Sequence, residues 1–164
     1  VYKRQNVQWA CSTRVNTVTK KLLEVMARSG CESINFGAES GVQRILNTIS
    51  KGITKTQVRK VVKWCVGLGI RPTCSFMVPH PADTMETVKE TAKFMRELLN
   101  LGANVTLAIT TPFPGTYLYE NAGRLGLTFT SRDWEEYDCL DPVFYTENLL
   151  TEDVYEAIRT LTNL

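Results

Sequence analysis

The chain has 164 residues, 43% of them hydrophobic and 22% charged, which suits one globular domain with a sizeable core. A formal net charge of +2 without a basic block gives nothing for nucleic acid to hold, and neither an apolar run of membrane-spanning length nor a charged-then-apolar leader is legible. The five cysteines (Cys11, Cys31, Cys65, Cys74, Cys139) are odd in number and lack metal-ligand spacing, which argues against a metal site and for buried free thiols in a reducing cytoplasm.

Cycles of strand, helix and glycine stop follow in chain order. The first strand is expected over Val7–Arg14. Thr19 fits a helix N-cap, Leu22, Leu23 and Met26 form an apolar stripe, and Gly30 ends the helix. A second strand over Ser33–Gly37 runs into Ala38-Glu39-Ser40-Gly41, where a carboxylate and a hydroxyl meet at a strand end. In strand–helix folds ligands bind beyond those ends, so Glu39 and Ser40 are candidate ligand contacts, although a Glu there also suits a helix cap or a solvated surface.

A short helix is expected near Val42–Thr48. The next is marked by a Thr54–Gln57 capping box, by Val58, Val61, Val62, Cys65 and Leu68 at helical spacing with Trp64 beside them, and by Gly69 as its stop. A strand follows over Arg71–Val78. The third long helix is expected to open on a capping box of Asp83 and Glu86, to bury Val88, Ala92, Met95 and Leu99, and to stop at Gly102. Asn104–Thr110 reads as the fourth strand. Thr111-Pro112-Phe113-Pro114-Gly115 cannot continue it. Beyond lie a short helix over Tyr117–Gly123, an acidic aromatic segment over Ser131–Asp141, and a last amphipathic helix from about Thr151 with Val154, Ile158 and Leu161 on one face.

Alternating strands and helices imply an α/β fold: about four parallel strands with helices outside, either open and doubly wound or curving as a partial TIM-like barrel, followed by a C-terminal helical extension. The whole of 1–164 reads as one domain, with βα repeats over 1–116 and the extension over 117–164. The first strand would leave an exposed edge, which suggests either a preceding portion or a homodimer formed through that edge. The start at Val1 fits an excised piece.

Several segments in order resemble the radical S-adenosylmethionine superfamily, in the branch associated with cobalamin-binding domains that includes anaerobic magnesium-protoporphyrin IX monomethyl ester oxidative cyclases and methyltransferases. They are Trp9–Val15, Gly30–Gly41, Lys51-Gly52-Ile53-Thr54, Pro112–Thr116 with Leu118-Tyr119, and Asp133–Asp138. The resemblance implies the third to sixth strands of a (β/α)6 partial barrel. It also implies S-adenosylmethionine, a [4Fe–4S] cluster and, in the parent protein, cobalamin. The family's C-x3-C-x2-C cluster motif is absent here, so the chain is expected to be inactive alone and no catalytic residue is assigned.

By the same resemblance Glu39 and Ser40 contact the methionyl part of the nucleotide, Lys51 approaches its carboxylate, and Pro112 and Phe113 line the adenine. Each has a plain alternative, since Lys51 also suits an exposed helix end and the two prolines a rigid turn. Where the family often carries Gly-Leu-Pro-Gly-Glu-Thr, this chain has Met77-Val78-Pro79-His80-Pro81-Ala82-Asp83-Thr84, which brings its one histidine to the rim. Arg14 and His80 are therefore candidates for contact with a small-molecule substrate, Arg14 alternatively for an ion pair and His80 for a solvated loop position. A non-catalytic half-barrel serving binding or assembly is the alternative reading. A metal-free enzyme with Glu39 as general base ranks last, because no partner acid is apparent.

Overall fold

The computed structural model describes residues 7–163; Val1 lies outside them. Four parallel strands form the frame: β1 (Trp9–Thr13), β2 (Cys31–Glu39), β3 (Arg71–Val78) and β4 (Asn104–Ile109), side by side in chain order. The strand order never reverses. Right-handed crossovers that always step the same way put every helix on one face of the sheet, which is the winding of a barrel rather than of a doubly wound layer.

The covering helices are α1 (Lys20–Arg28), α2 (Gln43–Thr48), α3 (Lys55–Gly67) and α4 (Met85–Asn100). Strand side chains alternate between two environments. Ile34, Phe36, Ala38, Cys74, Phe76 and Val78 are buried in one core with Leu23, Val58, Val62, Met95 and Leu98 of the helices. The opposite face is lined by small polar groups. Thr106 Oγ1 donates to Ser75 Oγ at 2.9 Å, and Ser75 Oγ donates to Asn35 Oδ1 at 2.8 Å, so a hydrogen-bonded rung crosses three strands.

Helix boundaries follow local chemistry. Thr19 accepts from the Leu22 amide, and Thr54 and Gln57 close the expected capping box. Gly30 turns with φ +91°, where a side chain would strike the Val7 carbonyl. Three expectations need correction. The cap of α4 is Thr84 paired with Thr87, not Asp83 with Glu86, because the Asp83 carboxylate is already committed to the His80 amide and the Thr87 hydroxyl, both at 2.7 Å. Leu98 rather than Leu99 completes the buried stripe of α4, and Leu22 likewise faces solvent on α1, both being one position off the inward face. Of the five thiols, all free, Cys31, Cys65 and Cys74 are buried but Cys11 and Cys139 are only partly so.

The extension is less helical than expected. Its first helix, α5, spans only Tyr117–Glu120, followed by a single 3-10 turn. Two short antiparallel strands, β5 (Leu127–Phe129) and β6 (Phe144–Thr146), then enclose a small core of Ala122, Leu127, Tyr137, Val143 and Phe144. The last helix, α6 (Thr151–Thr162), returns Val154, Ala157 and Leu161 to the main core. No helix among the described residues is long and apolar enough to cross a membrane.

An ionic clamp joins α3 to α4. Arg59 grips Glu97 through two bonds of 2.5 and 2.9 Å and lies over the Phe94 ring, with Lys55 bonded to Glu90 nearby. The Arg59 bond holds the Glu97 carboxyl below the usual carboxylate range. A depressed folded-state value gives stability that is present above the unfolded-state value and lost as pH falls through the folded one. Both side chains are substantially exposed, so Glu97→Gln should cost only about 0.5 kcal/mol at neutral pH. Chemical denaturation at several pH values should show that difference shrink toward zero as the carboxylate protonates, below about pH 4.

Candidate functional site

Parallel strands bring their carboxyl ends to one rim. Arg14 follows β1, Glu39 ends β2, Pro79-His80 follows β3, and Thr110–Phe113 follows β4. The rim is therefore assembled from four loops that are distant in sequence.

Glu39 is its most constrained member. It sits at a register shift between β2 and β3 and takes φ +63°, a left-handed conformation uncommon for a residue with a side chain. Its carboxylate folds back over Gly37 and meets Lys51 Nζ at 2.5 Å. A Cβ on residue 37 would lie 2.4 Å from Glu39 Oε1 and 2.8 Å from Lys51 Nζ, so the ion pair occupies the space that the glycine leaves. Both side chains are largely screened from water, at 19% exposure for Lys51 and 15% for Glu39.

Lys51 is held from behind. Its residue lies between Ser50 and Gly52, both left-handed at φ +52° and +67°. The Arg14 guanidinium donates to the Lys51 carbonyl, and Asn16 Nδ2 donates to the Gly52 carbonyl at 3.2 Å. Arg14 thus braces the turn that carries Lys51, and it forms no ion pair among the described residues. It remains exposed, with further donors on the guanidinium.

Ser40 does not reach the rim surface. It is 2% exposed, and its hydroxyl accepts from the Val42 amide at 3.1 Å beside Thr91 Oγ1 at 3.5 Å. Gly41 N also donates to Thr91 Oγ1 at 3.1 Å, so this loop is pinned to α4.

His80 is buried, not solvated. Its Nε2 lies 3.4 Å from the Glu39 carbonyl, so the ring bridges the end of β2 to the loop after β3. The Pro112–Phe113 segment closes on itself. The Phe113 amide donates to the Thr111 carbonyl at 3.0 Å, and the Phe113 carbonyl accepts from the Thr116 amide and hydroxyl. Pro112 is buried, while Phe113 is 41% exposed, with its ring 6.0 Å from that of Tyr137. The Phe113 ring is left accessible, while its backbone amide and carbonyl are both hydrogen-bonded.

Between the ends of β3 and β4 and the start of α5 lies a recess of about 350 Å³, with Met77, His80, Thr110 and Tyr117 in its walls. His80 links it to the Glu39 cluster. Thr110 was read from the sequence only as the end of a strand, and Met77 only as part of one. Their inward placement follows from the pleat, which a strand assignment contains but does not reveal without its register.

The thiols do not fit an iron–sulfur site. Burial and neighbouring thiols push Cys65 and Cys74 up to about 12, and burial raises Cys31 as well. Thiolate is the ligating form, and these three pack on the helix side of the sheet, away from the rim. Among the described residues no three His, Cys, Asp or Glu side chains converge as a metal site would require.

Residues 2–95 match the model of the Radical SAM superfamily. The chain is 36% identical over 154 residues to an uncharacterized methyltransferase of Pyrococcus horikoshii, covering 94% of this chain and 33% of that protein. It is 29% identical over 139 residues to the anaerobic magnesium-protoporphyrin IX monomethyl ester cyclase of Rubrivivax gelatinosus, covering 84% of this chain and 24% of the cyclase. The chain thus spans about a quarter to a third of the length of these relatives. Among solved structures, the radical S-adenosylmethionine methyltransferase TsrM of Kitasatospora setae, with tryptophan and a cofactor analogue bound, superposes with a TM-score of 0.68 at 16% identity over 96% of this chain and 36% of its own. The likeness to TsrM concerns the fold alone. The family match extends over more than half of the residues, and with the barrel winding it places this chain in the radical S-adenosylmethionine superfamily.

Proposed function

We infer that this chain supplies the S-adenosylmethionine-holding rim of a radical enzyme of the methyltransferase or oxidative cyclase type. The observation that carries the reading is the Glu39–Lys51 pair seated over Gly37 on the strand-end rim, joined through His80 to the adjoining recess.

The pair complements a zwitterion. Glu39 gives Lys51 one carboxylate oxygen and keeps lone pairs for an ammonium group, while Lys51 has donors left for a carboxylate. That is the charge pattern of the methionyl part of the nucleotide. The exposed ring of Phe113 offers a face to the purine, and buried Pro112 stiffens the turn behind it. Ser40 supports the loop from inside. Arg14 and His80 lie toward the substrate, a small molecule. When bound, S-adenosylmethionine supplies the carbon radical or methyl group used in such reactions. The iron–sulfur cluster, and cobalamin where it is used, would be held by residues other than these.

A second reading, a half-barrel acting in assembly, rests on β1, which pairs only with β2 among the described residues. It predicts a homodimer through that edge, and light scattering separates the two: a dimer whose formation is lost when proline replaces Ser12 would favour assembly.

Gly37→Ala should weaken binding of S-adenosylhomocysteine about tenfold by calorimetry while leaving the melting temperature nearly unchanged, because the added methyl displaces two side-chain ends and no backbone. Lys51→Met should weaken it comparably, and wild-type affinity in both variants would contradict the assignment. Anaerobic treatment of this chain with iron and sulfide should leave no stoichiometric cluster by iron analysis. The whole protein, treated the same way, should release 5′-deoxyadenosine from S-adenosylmethionine, and its failure to do so would count against the enzyme reading.

A further inference from the structure

Glu39 occupies a rare backbone turn. The Ser40 amide donates to the Ala38 carbonyl at 2.8 Å, across a single residue whose φ is +63°. That is a three-residue γ-turn of the strained sense, which a residue with a side chain adopts only where its surroundings impose it. Both flanks of the turn are tied to α4. On the far side of Glu39, Gly41 N donates to Thr91 Oγ1 at 3.1 Å, and a Cβ on residue 41 would lie 2.6 Å from Thr91 Cα, so the chain rests directly on the helix. The second tie starts at Thr87, one helical turn before Thr91. Its hydroxyl donates to Asp83 Oδ1 at 2.7 Å, and Asp83 Oδ2 accepts from the His80 amide at 2.7 Å. The Asp83 amide donates back to the His80 carbonyl at 2.9 Å. His80 then places Nε2 3.4 Å from the Glu39 carbonyl. Thr87, Asp83 and His80 are all buried, so water does not compete for these bonds.

We propose that His80 is a positioning residue for the nucleotide's amino-acid end: by donating its Nε2 proton to the Glu39 carbonyl it holds the γ-turn, and the turn aims the Glu39 carboxylate across Gly37. A carbonyl only accepts, so this contact fixes the ring proton on Nε2. Without it, the Glu39 carbonyl is released on one side and the residue can leave its strained φ, taking the carboxylate out of line with Lys51 Nζ. The role uses one ring nitrogen and leaves Nδ1 for substrate.

This assignment rests on the reading of the rim as the nucleotide's seat, and its test separates the two. S-adenosylhomocysteine and 5′-methylthioadenosine share adenine, ribose and thioether, and only the first carries the amino-acid end. By calorimetry, His80→Asn should weaken S-adenosylhomocysteine binding about tenfold and leave methylthioadenosine binding unchanged. His80→Gln should keep the wild-type affinity for both, because the Gln amide nitrogen falls at the place of Nε2 and that of Asn at the place of Nδ1. Glu39→Gln combined with His80→Asn should lose no more than Glu39→Gln alone, since both act on one contact. Equal behaviour of the Asn and Gln variants, equal weakening of both ligands, or additive losses would overturn the proposal. Nitrogen-15 NMR of the unliganded wild-type chain, above the imidazole's titration, should find the His80 proton on Nε2; a proton on Nδ1 would overturn the proposal whether or not the variants fold. Wild-type chain that binds both ligands equally would sink the rim reading and this inference with it. A preference lost in Lys51→Met but kept in His80→Asn would sink this inference alone.

Discussion

Glu39 can fold back across the end of β2 only because residue 37 has no side chain. The space above Gly37 is filled by a carboxylate oxygen and an ammonium nitrogen, each closer than a Cβ could tolerate. The loops after β1 and β3 are arranged around that pair. The left-handed turn at Glu39 aims the carboxylate, the Ser50-Lys51-Gly52 turn delivers the amine, Arg14 and Asn16 hold that turn by its carbonyls, and His80 closes on the Glu39 carbonyl. The loops after β1, β2, α2 and β3 are thereby tied to one pair of charges, while the Thr110–Phe113 loop closes on itself. Strain at the two left-handed residues that carry side chains, Glu39 and Ser50, is tolerated because the surroundings over-determine them.

The sheet makes this possible by its winding. Consecutive parallel strands leave one face to the helices and the other to the polar rung of Asn35, Ser75 and Thr106. The helix face supplies the burial that stabilises the fold, and the ionic clamp between α3 and α4 adds little to it. The rim can therefore be polar and strained without carrying the stability of the domain.

Much of this was legible in the sequence. The four strands and three long helices follow from period and glycine punctuation, with ends off by a few residues at most. Glu39 stands out by its place at a strand end and Arg14 by its place at the end of another, Lys51, Pro112 and Phe113 come from the resemblance, and His80 comes from the loop where the chain departs from the family's pattern. What could not be read has physical causes. Asp83 carries the composition of an N-cap but spends its carboxylate on the preceding loop, so Thr84 caps instead. Ser40 looks like a rim hydroxyl, yet it bonds inward because its loop packs on Thr91 from fifty-one residues away. Leu98 and Leu99 differ by one helical step, which periodicity does not resolve. The β5–β6 pair and the Thr110 recess depend on contacts between distant segments that leave no local pattern.

The central claim is that the Glu39–Lys51 pair receives the amino-acid end of the nucleotide. A crystal structure of the whole protein with S-adenosylhomocysteine tests it most directly. The claim requires the ligand's amino nitrogen within hydrogen-bond distance of the Glu39 carboxylate, with its carboxylate toward Lys51. A ligand bound elsewhere, with the ion pair over Gly37 untouched, would contradict it.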